Sequence, residues 1–319
     1  MKYAVTGTSG FIGSALTRRL EAEGHEVIRL VRRPAERANE VEWHPRSVDV
    51  EQRLRLEGLD AIVNLAGASL AAGWWTVARK EEILRSRVEG PRALVAVMAH
   101  LNHRPRTFVN ASAIGFYGDR ADEELTERSG QGEGFLADVC HVAEEEAKIA
   151  GSVGIRSVMM RFGLVLGSGG GVLARLAPIF RAGVGGPLGN GQQWVSWIAL
   201  DDVVGAILHV LRETSVVGPV NTVAPVPVRN KEFSRALARA LGRRAFFSVP
   251  EFVLRAIFLE MADEMLLAST RVRPQRLLES GFRFVHPELA GALQSIFMGM
   301  RLRKSGLPSP NPAGMIQRH

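Results

Sequence analysis

The chain has 319 residues, a single cysteine, 46% apolar residues and a formal net charge of +7. That length suits one large α/β domain with an appended lobe, and the composition excludes a disordered chain. Cys140 has no disulfide partner and fits a reducing cytoplasm, and no run reaches about eighteen uninterrupted apolar residues, so no membrane span is expected.

The first strand covers Lys2 to Val5 and leaves no room for a signal peptide. It runs into Thr6-Gly7-Thr8-Ser9-Gly10-Phe11-Ile12-Gly13, and an amphipathic helix follows from Ala15 to Glu23. A strand that ends in a glycine turn and opens a helix offers free N–H groups and a helix dipole to a pyrophosphate. Gly7 closes the turn, Gly10 lets the backbone approach phosphates, and Gly13 lets helix and strand pack. Ser9, Phe11 and Ile12 lie on the same cradle.

Glu26 to Val31 is the second strand and Ala61 to Leu65 a third, ended by Ala66-Gly67. Helix follows from Val77 to Ala99, with a break or kink expected at Gly90-Pro91. Thr107 to Ala111 and Arg156 to Met160 are strands, separated by a helix from Phe135 to Ala150. The alternation predicts an α/β fold: a Rossmann-type doubly wound parallel sheet with a smaller C-terminal substrate lobe. Gly167 to Gly171 and Gly183 to Gly191 read as loops at the cleft mouth, where Gly185-Gly186 and the loop of Trp194 and Trp197 would shape a pocket. Ile198 to Leu211 resumes the βα pattern with Asp201-Asp202 as helix N-cap. Further helices are expected at Lys231 to Leu241, Glu251 to Leu267 and Pro287 to Phe297. The cofactor domain is thus 1–165 with 196–212 returning to it. Residues 166–195 and 213–300 form the lobe, and 301–319 a flexible tail.

In such a sheet the residue ending the second strand meets the adenine ribose, and an acid there suits NAD. Arg32-Arg33 stand there instead, and a guanidinium suits a 2′-phosphate, which favours NADP(H). The basic residues are spread out instead of forming one dense block, so no nucleic-acid partner is expected. The partners are a small-molecule substrate and, at most, a second copy of the chain in a homodimer.

The chain resembles the extended short-chain dehydrogenase/reductases of the NAD-dependent epimerase/dehydratase group. More narrowly it is similar to the atypical "epimerase family" subgroup with a C-terminal domain of unknown function. The matching stretches include Asn64-Leu65-Ala66-Gly67, Ser86-Arg87-Val88, Ala111 through Gly118, Arg161 through Gly167, Trp197-Ile198, Arg271-Val272-Arg273-Pro274 and Gly281-Phe282-Arg283-Phe284. The resemblance implies NADP(H) contacts at Arg32, Leu65, Ala66, Glu82, Arg87 and Leu164, with Gly67 closing the strand end beside them.

Most of that superfamily uses a serine with a Tyr-x-x-x-Lys pair for proton transfer. Ser112 occupies the serine position, but the helix reads Cys140-His141-Val142-Ala143-Glu144. Tyr117 and Cys140 are the substitute candidates, Cys140 reading first as a small buried hydrophobe and second as a thiol acid. Lys148, four residues beyond Glu144, reads as its surface ion-pair partner. No metal site is expected. Two functions remain open: an NADP(H)-dependent oxidoreductase or epimerase, and a cofactor-binding sensor or interaction protein with reduced chemistry.

Overall fold

Along β1 (Lys2–Thr6), Tyr3 and Val5 enter one apolar layer and Ala4 the other. In β4 (Ala61–Asn64), Ala61 and Val63 likewise oppose Ile62. Strands apolar on both faces require cover on both, which is why these runs lack polar alternation. Helices Phe11–Ala22 and Leu200–Arg212 supply it on one side through Leu16, Leu20, Val203 and Ile207. Helices Val77–Ala99 and Phe135–Lys148 supply it on the other through Leu94, Met98 and Ala147.

The computed structural model describes residues 1–47, 54–245 and 247–304, with side chains described to residue 300. With β2 (Glu26–Val31), β3 (Glu40–Glu42) and β5 (Thr107–Ala113), the central sheet has seven strands. Their order is Gly218–Thr222, Arg156–Phe162, β5, β4, β1, β2, β3, and every pairing is parallel. This is the doubly wound Rossmann-type order. Strand succession reverses between β1 and β4, which opens a crevice beyond their C-terminal ends.

The strand Gly218–Thr222, grouped by sequence with the lobe, pairs with Arg156–Phe162 in the main sheet. The lobe has its own core, where helices Gly171–Arg181, Asn230–Ala240 and Leu289–Lys304 meet through Leu173, Phe180, Phe233, Leu237, Leu293 and Phe297.

Several local expectations change. Helix Val77–Ala99 is continuous through Pro91, whose ring is buried while Gly90 lies against the Asn64 amide. Asp201 and Asp202 sit inside the first turn, and Ala199 is the cap residue. Asp202 is buried and accepts the N–H groups of Val285 at 2.6 Å and His286 at 3.0 Å, fastening the segment before the last helix. The helix from Glu251 stops at Phe258 because Leu259 turns to φ 49°, and Ala262–Leu267 continues as a π turn. The last helix runs on through residues 301–304, and the remainder of the expected tail lies outside the described residues. No described helix is long and apolar enough to cross a membrane.

Trp197 does not line a pocket. It is 0% exposed in the lobe core and its indole N–H donates to the Val226 carbonyl at 3.1 Å. Gly186 is close-packed too, since a Cβ there would lie 1.7 Å from the Phe247 carbonyl oxygen. Trp197→Ala is expected to cost about 3–5 kcal/mol of stability, the usual range for emptying a large aromatic site, as read by urea denaturation.

Candidate functional site

Gly7, at φ 67°, turns the chain at the end of β1, and a Cβ there would lie 2.8 Å from the Leu65 carbonyl. Gly13 packs still closer, with a Cβ placed 2.1 Å from the Gly7 carbonyl oxygen. The Gly10 N–H closes the turn on that same oxygen at 2.9 Å. No side chain caps the following helix, and the N–H groups of Phe11, Ile12 and Gly13 find no acceptor among the described residues. Ser9 and Gly10 are exposed, so these donors stand open at a helix N-terminus, the arrangement that receives a phosphate. The Phe11 ring lies against Gly167, Gly170 and Gly171, so it joins the cradle to the first lobe loop.

Thr6, Asn64 and Asn110 tie neighbouring strands together; the motif reading named Thr6 and Asn64 only as parts of longer stretches and passed over Asn110. The Thr6 hydroxyl donates to Asn64 Oδ1 at 2.6 Å and accepts the N–H groups of Leu65 and Ala66 at 3.0 and 3.1 Å. Asn64 Nδ2 donates to Asn110 Oδ1 at 2.7 Å. This chain of bonds satisfies buried polar groups across β1, β4 and β5 and holds Leu65-Ala66 half-buried at the crevice wall. Polar residues inside apolar strand runs, Thr6 and Asn64 at strand ends and Asn110 within β5, were a signal available in the sequence.

The two arginines after β2 differ sharply. Arg33 forms a bidentate pair with the buried Glu40 at 2.9 and 3.0 Å and lies 3.4 Å from Glu36. That guanidinium holds the Glu40 carboxyl below its usual range. Arg32 is exposed and makes no hydrogen bond or ion pair with any described residue.

On the far wall, Glu82 is half-exposed and paired with Arg79 at 2.5 Å. Arg87 has no carboxylate partner among the described residues, donates to the Ile83 carbonyl at 3.3 Å and faces Gly67. Burial pulls its pKa below the ordinary guanidinium value. Leu164 is half-buried against the lobe core.

The catalytic candidates separate. Tyr117 is 0% exposed, so it does not reach the cleft. Its hydroxyl accepts from Arg161 Nη1 at 2.9 Å and donates to Asn221 Oδ1 at 2.7 Å, and burial raises its pKa. Cys140 is buried beside Phe116 and Val223, and burial with Glu144 nearby pushes its thiol up to about 11. It is the small buried hydrophobe of the sequence reading. Ser112 alone is half-exposed at the crevice edge, with its hydroxyl donating to Glu144 Oε1 at 2.7 Å.

Glu144 is no surface charge. It is 1% exposed and receives Arg161 Nε at 2.8 Å and Nη2 at 2.7 Å, while Lys148 pairs with Glu145. The Arg161 guanidinium also stacks 3.5 Å from the Phe116 ring centroid. Glu144 lies four residues after Cys140 on the apolar stripe of its helix, and a charge on that stripe was the missed clue.

The lobe is clasped to the sheet. Glu264 accepts the N–H groups of Phe135 and Leu136 at 2.7 Å each, capping the helix Phe135–Lys148. Lys80 pairs with Glu260 at 2.8 Å and sits 4.6 Å over the Phe135 ring, and Arg175 reaches the Ala71 carbonyl at 2.7 Å.

Removing one partner of the buried pair, as in Arg161→Met, strands the Glu144 charge and is expected to cost about 3–5 kcal/mol, measured by chemical denaturation. Cys140 in the folded protein is expected to react with iodoacetamide at pH 8 at least about a hundredfold more slowly than in urea, because the thiolate is the reactive form.

Comparison with known proteins agrees with this architecture. The family model described as NAD dependent epimerase/dehydratase family matches residues 3–223, and a domain of unknown function, DUF1731, matches 249–296. An epimerase family protein of Mycobacterium bovis is 40% identical over 290 residues, 91% of this chain and 95% of that protein. The epimerase family protein YfhF of Bacillus subtilis is 35% identical over 93% of this chain and 98% of its own. The crystal structure of human epimerase family protein SDR39U1 with NADPH superposes at a TM-score of 0.86 and 35% identity, covering 93% of this chain and 99% of that one. With the doubly wound sheet, the open glycine cradle and these matches, the chain belongs to the NAD-dependent epimerase/dehydratase family.

Proposed function

We propose that the protein is an NADP(H)-dependent oxidoreductase or epimerase of the extended short-chain dehydrogenase/reductase type, acting on a small molecule between the sheet edge and the C-terminal lobe. The carrying observation is Arg32 directly after β2, without a partner among the described residues, beside an Arg33 already paired with Glu40. A free guanidinium gives a 2′-phosphate charge-assisted donors, and neutralising Glu40 removes the acid that would repel it. The NADPH in the human relative's crystal structure supports the same choice.

The remaining contacts fit the group. The open N–H groups of Phe11, Ile12 and Gly13 would take the pyrophosphate, and Leu65 and Ala66 would line the cofactor. When bound, the nicotinamide supplies or accepts a hydride. Ser112 is the candidate that meets substrate, while Tyr117 and Cys140 support it from the core.

Calorimetric titration should show tight NADPH binding and weaker NADH binding. Arg32→Ala should weaken NADPH by about 10- to 100-fold, the worth of a hydrogen bond to a charged group, and leave NADH within about twofold. Equal loss for both nucleotides would move the 2′-phosphate contact away from Arg32. Failure of both to bind would remove the cofactor reading. A substrate screen on the NADPH-binding protein then separates an enzyme from a sensor, because a sensor turns over nothing and shifts a partner's affinity between NADP+ and NADPH.

A further inference from the structure

The Ser112 hydroxyl has one proton, and the structure says where it goes. Oγ stands 2.7 Å from Glu144 Oε1. The reverse donation would need a protonated Glu144, yet that carboxyl receives two N–H groups from the buried Arg161. A neutral acid there would leave a guanidinium that is 3% exposed without its counter-charge, an arrangement proteins avoid. Cys140 is the other neighbour of Ser112, but its thiol keeps its proton at neutral pH and is a weak acceptor. The serine therefore faces the cleft with lone pairs and no proton to give.

Ser112 stands near the C-terminal end of β5, two residues beyond the Asn110 that pairs with Asn64, at the sheet edge where ligands of such folds bind. Arg87, which packs against Gly67 beside Ala66, has no carboxylate partner among the described residues.

We propose that Ser112 accepts, and does not donate, the hydrogen bond to the substrate, so that the cleft selects a hydroxyl or amine group over a carbonyl. Glu144 is the positioning residue that sets this polarity. A carbonyl oxygen set against the serine lone pairs would leave both acceptors unpaired, and buried polar sites discriminate strongly against ligands that cannot complete them. The inference rests on the cofactor-binding reading of the same sheet edge.

The test uses the full chain saturated with NADP+ and matched probes, cyclohexanol against cyclohexanone and benzyl alcohol against benzaldehyde, followed by saturation-transfer NMR. Each alcohol should bind at least about fivefold more tightly than its carbonyl partner, the factor that one net hydrogen bond supplies. Ser112→Ala should bring the pair within about twofold. Glu144→Gln should narrow the gap by strengthening carbonyl binding, whereas mere structural damage would weaken both probes. If that variant does not fold, Ser112→Ala decides. Equal or tighter carbonyl binding, a preference that survives Ser112→Ala, or no binding by any probe would overturn the proposal. NADP+ affinity measured on the same samples separates the failures: retained, it leaves the cofactor reading standing, and lost, it removes both.

Discussion

The Glu144–Arg161 pair decides more of this molecule than any other contact. Both side chains are almost fully buried, and the pair spans from the helix Phe135–Lys148 to the strand Arg156–Phe162. Desolvating two charges is costly, and here the cost is met by bidentate geometry, by the Ser112 hydroxyl and by the Phe116 ring over the guanidinium. From Arg161 the network continues through the Tyr117 hydroxyl to Asn221 on the edge strand. One ion pair thereby fixes how the helix seats on the sheet, which hydroxyl reaches the cleft, and which two candidate groups are withdrawn from it.

The same helix couples the two lobes. Its N-terminus is capped by Glu264, which lies in the π turn that follows Leu259. An isolated helix end wants an acceptor for its open N–H groups, and a carboxylate from the lobe meets that demand with favourable dipole orientation. The glycine cradle is the contrasting case. Its helix also begins without a side-chain cap, and no described lobe residue fills it, so one helix start is closed by the protein's own carboxylate and the other stands open.

The fold and the glycine turn were readable because they depend on local rules. Gly7 and Gly13 are imposed by contacts within the turn itself, and β2 was bounded correctly from its apolar run. Strand β3 escaped notice since three residues carry little periodicity, and its place follows from pairing with β2. The break at Leu259 is set by tertiary ties, the Arg255–Asp263 pair and the Glu264 cap, which a periodic pattern does not contain. Glu144 was assigned to Lys148 by helical spacing, but spacing cannot weigh a surface partner four residues on against a buried one on a strand.

The arginine pair after β2 makes the same point for function. Arg32 and Arg33 are adjacent and chemically identical, so residue chemistry alone does not rank them, and only the family resemblance pointed to Arg32. What separates them is Glu40, brought alongside by the β2–β3 pairing, which takes Arg33 and leaves Arg32 without a partner among the described residues. Ser112 is decided in the same way, by a carboxylate 32 residues distant that accepts its hydrogen bond. At both ends of the crevice, the group available to a ligand is the one whose neighbour has already been satisfied from elsewhere in the chain. On the proposed reading, Glu40 and Glu144 act on the crevice through Arg33 and Ser112 without touching a ligand themselves.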